Sequence, residues 1–209
     1  MKTTRLLIGL AMIWAAACKP AGESTPSPET LPILGERYVD DNKDTVYHQI
    51  ADFSLVNQLG DTVTNSDVAN KVYVADFFFT SCPTICPVMK KEMLRVYEKF
   101  NSNPDFKILS HSIDVGHDTP EVLKDYAERL GVNDASTWNF LTGDQEKIFE
   151  LGQTSYLTTA MEDQQEPGGF LHSGAFLLID QQGRIRGVYD GTKSDQIDRL
   201  INDIPKILK

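Results

Sequence analysis

Eight consecutive residues, Val72-Tyr73-Val74-Ala75-Asp76-Phe77-Phe78-Phe79, form a near-continuous apolar, aromatic and β-branched run interrupted by a single charge. They lead directly into Thr80-Ser81-Cys82-Pro83-Thr84-Ile85-Cys86-Pro87. A run of this kind is the pattern of a central strand buried on both faces. Downstream, Val88, Met89, Met93, Leu94, Val96 and Tyr97 recur at helical spacing. Proline is tolerated in a first helical turn, where the missing N–H has no partner to lose. The strand therefore becomes a helix inside the cysteine motif.

Three residues separate Cys82 from Cys86, which places them about one helical turn apart with both sulfurs able to face one side. Unpaired N–H groups and the positive end of the helix dipole favour thiolate at such a place, and thiolate is both the nucleophile and the metal-binding form. A plain disulfide staple is the alternative. Staples rarely sit where a buried strand runs out into a helix, so the pair reads as a redox-active or metal-binding site.

The third cysteine, Cys18, has another setting. Lys2 and Arg5 precede an apolar run from Leu6 to Ala17 that ends in Ala15-Ala16-Ala17; it is too short to span a bilayer and reads as a secretory signal over residues 1–17. Small residues directly before a cysteine resemble a bacterial lipoprotein cleavage site, although Ala15 stands where leucine is commonest. Cys18 is then the lipidated first residue, anchored to a bacterial membrane with the domain in the periplasm or another extracytoplasmic space. Residues 18–49 read as flexible tether and lead-in, rich at first in Pro, Ser, Thr and Glu, and residues 50–209 as the folded domain. Loss of the leader takes the net charge from −10 to −12, and with no basic cluster remaining, nucleic-acid binding is excluded.

Along the domain, Phe53–Val56 and Thr62–Thr64 predict a short N-terminal hairpin, Phe106–Ile113 a second core strand, and Thr119-Pro120-Glu121 a helix start. Trp138–Leu141 reads as a third strand and Gln145–Leu151 as a helix. Residues 153–169 carry no period and are expected to form a mobile surface loop, placed to act as a lid over His172. Phe170–Asp180 predicts one strand, Gln181-Gln182-Gly183 a turn, Arg184–Tyr189 its antiparallel partner, and Ile197, Leu200, Ile201, Ile204 and Leu208 one apolar face of a closing helix. This order predicts an α/β, thioredoxin-like fold with a central mixed sheet flanked by helices.

In such a sheet, His172 at the entry to the late strand lies opposite the cysteines. Two sulfurs and one imidazole without a fourth ligand suit a low-coordinate copper ion better than structural zinc, so Cys82, Cys86 and His172 are the proposed ligands. His48 reads as a surface or linker residue, His111 as a packed core residue, and Met89 and Met93 as core filling.

Four blocks in order, Phe79–Pro87, Ser112-Ile113-Asp114 with Asp118-Thr119-Pro120-Glu121, Trp138–Gly143, and His172-Ser173 before Leu177–Asp180, resemble the Sco/SenC family over roughly residues 50 to 205. The resemblance implies a membrane-tethered thioredoxin-like domain that binds copper, as Cu(I) or Cu(II), through both cysteines and the histidine. It implies delivery of copper to the binuclear site of cytochrome c oxidase subunit II, or preparation of that site's thiols, with other copper chaperones and thiol reductants as further partners. Where the family usually has Asp-Pro-Glu-x-Asp, this chain has Asp114-Val115-Gly116-His117-Asp118. Asp114, Asp118 and His117 are therefore candidate supporting or partner-contact residues, against the bland roles of strand-end turn, helix cap and solvated loop. A metallochaperone is a carrier rather than an enzyme; the alternative is a thiol-disulfide oxidoreductase acting on partner cysteines, in redox defence or in signalling.

Overall fold

The computed structural model describes residues 30–208, so the leader and Cys18 lie outside the described residues. In chain order, β1 (Arg37–Val39) and β2 (Thr45–Tyr47) form a small antiparallel hairpin. Next come β3 (Ser54–Asn57), β4 (Thr62–Thr64), the single turn α1 (Asn65–Val68), β5 (Val72–Phe78), α2 (Cys86–Phe100), β6 (Phe106–Ser112) and α3 (Pro120–Arg129). The second half holds β7 (Trp138–Thr142), α4 (Gln145–Glu150), β8 (Ala160–Glu162), β9 (Phe170–His172), β10 (Ala175–Ile179), β11 (Ile185–Asp190) and α5 (Ser194–Ile207).

Seven strands make one mixed sheet in the order β11-β10-β5-β6-β7-β3-β4. The strands β5, β6 and β7 are parallel, in register from Val72 opposite Phe106 to Phe78 opposite Ser112 and from Ile108 opposite Trp138. Every residue of β5 is buried, as its apolar run requires. Successive right-handed crossovers in one direction put α2 and α3 on the same face: Lys90 of α2 reaches Asp76, and Tyr126 of α3 lies 5.6 Å from Phe78. The opposite face carries Tyr73, Phe77 and Phe79. Tyr156 packs on it, 5.6 Å from Phe77, and Gly152 approaches so closely that a Cβ there would lie 3.1 Å from the Phe77 ring. This is the expected α/β, thioredoxin-like arrangement.

Three expectations change. The hairpin β3–β4 is no appendage: Val56 pairs with Thr142 and Asn57 with Leu141, so it completes the main sheet at its edge. The separate hairpin is β1–β2, in the lead-in. That lead-in docks on the domain, with Leu34 N–H donating to the Ile185 carbonyl at 2.8 Å and Arg186 donating to the carbonyls of Leu31 and Pro32. Residues 153–169 are not a structureless loop either. A π-helical turn, Leu151–Ser155, extends α4, and β8 pairs with β9, with Ala160 opposite His172. The predicted single strand over residues 170–180 is accordingly split. Among the described residues β9 pairs only with β8, and after Ser173-Gly174 the chain re-enters the main sheet as β10, between β5 and β11. The partner that divides it comes from distant sequence, so local pattern carries no sign of it. The Gln181-Gln182-Gly183 turn forms as expected, with Gly183 at φ 72°, a conformation that glycine adopts without steric cost.

Candidate metal centre

β5 is parallel to β6 and antiparallel to β10, so the end of β5 and the entry to β10 meet at one pole of the sheet. Beyond Phe79 the backbone turns sharply, with Cys82 N–H donating to the Phe79 carbonyl at 3.3 Å. Cys86 then opens α2, with proline in the first turn. From the other side of the junction, β9 delivers His172, whose ring meets Phe79 edge-on at 5.8 Å.

The ligand atoms of Cys82, Cys86 and His172 all lie within 4.8 Å of one another, the single such group of metal-binding side chains among the described residues. His172 Nε2 is 3.3 Å from Cys86 Sγ and 4.0 Å from Cys82 Sγ. Both thiols are free. The residues are 7%, 2% and 7% exposed, so the donors converge in a largely dry place. His172 Nδ1 lies 3.2 Å from the Ser173 carbonyl. With the proton assigned to Nδ1 for that contact, the Nε2 lone pair faces the sulfurs.

The electrostatics separate the two cysteines. Burial pushes the Cys86 thiol well above its ordinary value. Burial opposes the Cys82 thiolate too, but hydrogen bonds from Thr84 and Cys86 outweigh it and hold this thiol below the ordinary range; the Thr84 hydroxyl is 3.6 Å from its sulfur. The expected thiolate preference is therefore met at Cys82 and not at Cys86, where desolvation of a buried anion exceeds the opposing effects of the Phe79 backbone and the Lys90 charge. Burial also depresses the His172 pKa, which keeps the imidazole neutral and able to coordinate.

The neighbouring aspartate is a support rather than a cap. Asp118 is fully buried and accepts from Thr80 N–H at 3.0 Å, from the Thr80 hydroxyl, from Ser112 Oγ at 2.6 Å and from His117 Nδ1 at 2.9 Å. Thr119 is the residue that caps α3. Asp114 closes the turn, its carbonyl accepting from the backbone N–H groups of His117 and Asp118; burial and the Asp118 charge raise its pKa. The His117 side chain is exposed, and its contacts are Asp118 and Thr80 rather than the sulfurs. Cys18 lies outside the described residues. Met89 and Met93 are fully buried in the core. His111 is buried, stacked 4.8 Å from Phe77, and desolvation lowers its pKa to about 4. His48 ties the lead-in to the π-helical turn through the Ser155 carbonyl.

A buried ion pair went unrecognised in the sequence. Lys90, one turn after Cys86, donates to Asp76 at 2.5 Å and to Ser110 Oγ at 3.1 Å, lies over the Phe78 ring at 3.9 Å, and is 2% exposed. Ser110 also donates to Asp76 and accepts from Trp138 Nε1 at 2.9 Å. The available signal was Asp76 itself, the one charge in the apolar run.

A family model described as SCO1/SenC matches residues 41–209. The chain is 31% identical over 164 residues to a SCO1 protein homolog of Bacillus subtilis, covering 78% of this chain and 84% of the relative. Among solved structures, a SCO1/SenC family lipoprotein from Bacillus anthracis superposes with a TM-score of 0.70 at 30% identity, covering 77% of this chain and 95% of that one. The copper-bound ScoI of Bradyrhizobium japonicum shares the fold, with a TM-score of 0.63 at 24% identity over 76% of this chain and 98% of its own.

Proposed function

The chain belongs to the SCO1/SenC family, and on that premise we propose that it is a membrane-tethered copper metallochaperone, holding copper on Cys82, Cys86 and His172. Its acceptor on this reading is the binuclear copper site of cytochrome c oxidase subunit II, to which it delivers copper or whose thiols it prepares. The observation that carries the reading is the convergence of two sulfurs and one neutral imidazole within 4.8 Å. Soft thiolates select copper in its reduced state, and imidazole suits either oxidation state. The ion is cargo. Uptake removes at least the proton from Cys86, and release to a partner restores it, so loading couples to proton movement at the buried sulfur.

The tether is part of the proposal. It rests on the lipoprotein-like Ala15-Ala16-Ala17-Cys18 sequence, and it puts the domain on the extracytoplasmic side of a bacterial membrane. Mass spectrometry of the mature protein tests it: a diacylglycerol-modified Cys18 supports the anchor, and an unmodified chain cleaved elsewhere contradicts it. Delivery is tested by deleting the gene and measuring copper in purified oxidase. Loss of the binuclear-site absorption in subunit II, restored by the wild-type chain and not by Cys82→Ser, is the expected outcome. An oxidase with full copper in the deletion strain would rule the role out.

One observation favours a second reading, thiol-disulfide exchange. The site pairs a thiol of lowered pKa, Cys82, with a buried thiol of raised pKa, Cys86, the division expected of an attacking and a resolving cysteine. His172→Ala separates the two: a carrier loses copper affinity, whereas dithiol chemistry survives.

A further inference from the structure

Cys82 and Cys86 also border a cleft that His172 does not line. Between α2 and α3 lies a cleft of about 310 Å3 whose walls include Cys82, Cys86, Leu94, Tyr126 and Leu130, with Lys91 at its lip; His172 is absent from its walls. The imidazole comes from β9, beside Phe79, on the opposite face of the sheet from α2 and α3. The cleft's inner ammonium, Lys90, is engaged with Asp76. Lys91 is exposed and enters none of the ion pairs among the described residues. In a chain of net charge −10, this is a positive lip on a largely apolar trough bordered by the two cysteines.

We infer that this cleft is the docking site for the metal-accepting segment of a partner: a peptide that points a cysteine thiol at Cys82 and Cys86, lays an aliphatic side chain against Leu94 and Leu130, and sets a carboxylate against Lys91. The inference rests on the copper-cargo reading and adds to it a face and an order of exchange. The entering thiol loses its proton as its sulfur bonds copper, one copper–cysteine bond of the chain breaks, and that cysteine takes up a proton. No electron is transferred. Because the cleft is lined by both cysteines and not by the histidine, a sulfur ligand is exchanged before His172.

The test uses two blocked synthetic peptides, Glu-Leu-Cys-Leu-Glu and Lys-Leu-Cys-Leu-Lys, added to the reduced, metal-free, 15N-labelled protein. The acidic peptide is expected to shift the amides of Leu94, Tyr126 and Leu130, and to bind about tenfold more weakly to Lys91→Glu, while the basic peptide gains. Lys91 is a surface residue, so its replacement leaves the fold intact. Shifts confined to residues 157–171, or equal binding of the two peptides to wild type and Lys91→Glu, would overturn the docking site. Docking is read without copper, so a protein that failed to hold copper would be recognised by separate titration and not mistaken for a failed cleft.

Discussion

The carboxylate of Asp118 holds Thr80 at both its backbone N–H and its hydroxyl, two residues before Cys82. The end of β6 is thereby fastened to the turn that presents the first sulfur, and Ser112 fastens the same carboxylate to the strand from which it emerges. This places the Cys82 loop under the control of a residue that never meets the sulfur. Asp118→Asn keeps the volume but replaces one acceptor oxygen with a donor facing other donors. It is expected to cost about 1–3 kcal/mol of stability and to weaken copper binding roughly tenfold through misplacement of the loop. Thr80→Val, which removes only the hydroxyl, is expected to produce a smaller loss of both. Urea unfolding and copper competition measure the two effects, and an Asp118→Asn protein with unchanged copper affinity would show that the loop holds its shape without the latch.

Copper affinity is expected to rise with pH. Burial keeps Cys86 protonated near neutrality, while His172 is already neutral because its pKa is lowered. Binding therefore releases at least the Cys86 proton, and apparent affinity increases about tenfold per pH unit for each proton released between roughly pH 6 and 8. Affinities measured across this range provide the check; a flat or falling profile contradicts the assignment.

The Asp76–Lys90 pair is buried, with both side chains no more than 2% exposed. Removing one member strands the other charge, so Lys90→Met is expected to destabilise the protein by about 3–5 kcal/mol. The double replacement Asp76→Asn with Lys90→Met is expected to recover a substantial part of that loss, because two desolvated charges disappear together. Chemical unfolding of the two single variants and the double gives the coupling. Additive losses would mean that the pair does not act as a unit.

The central strand was legible because burial on both faces leaves no polar alternation: Val72–Phe78 reads as core from composition alone. The helix starts were legible because capping chemistry is local, as at Thr119-Pro120. The β8–β9 hairpin was not, since Ala160 meets His172 through a long-range pairing that neither segment announces. Lys90 was missed for a related reason: a lysine on an amphipathic helix has the same local pattern whether its ammonium faces water or a buried aspartate. Asp118 preceded a helix and so resembled a cap, but the structure turns its carboxylate back toward Thr80 and leaves capping to Thr119. The spacing of the cysteines put their sulfurs within reach of each other, while their opposite pKa shifts depend on depth of burial and on Thr84, which spacing does not encode.

The most direct test is an anaerobic Cu(I) competition titration of the reduced protein beside Cys82→Ala, Cys86→Ala and His172→Ala. One tightly held equivalent is predicted for the wild type, with affinity reduced at least about a hundredfold by loss of either sulfur and about tenfold or more by loss of the imidazole. A wild-type protein that holds copper weakly, or a His172→Ala variant that holds it as tightly as the wild type, would contradict the three-ligand site.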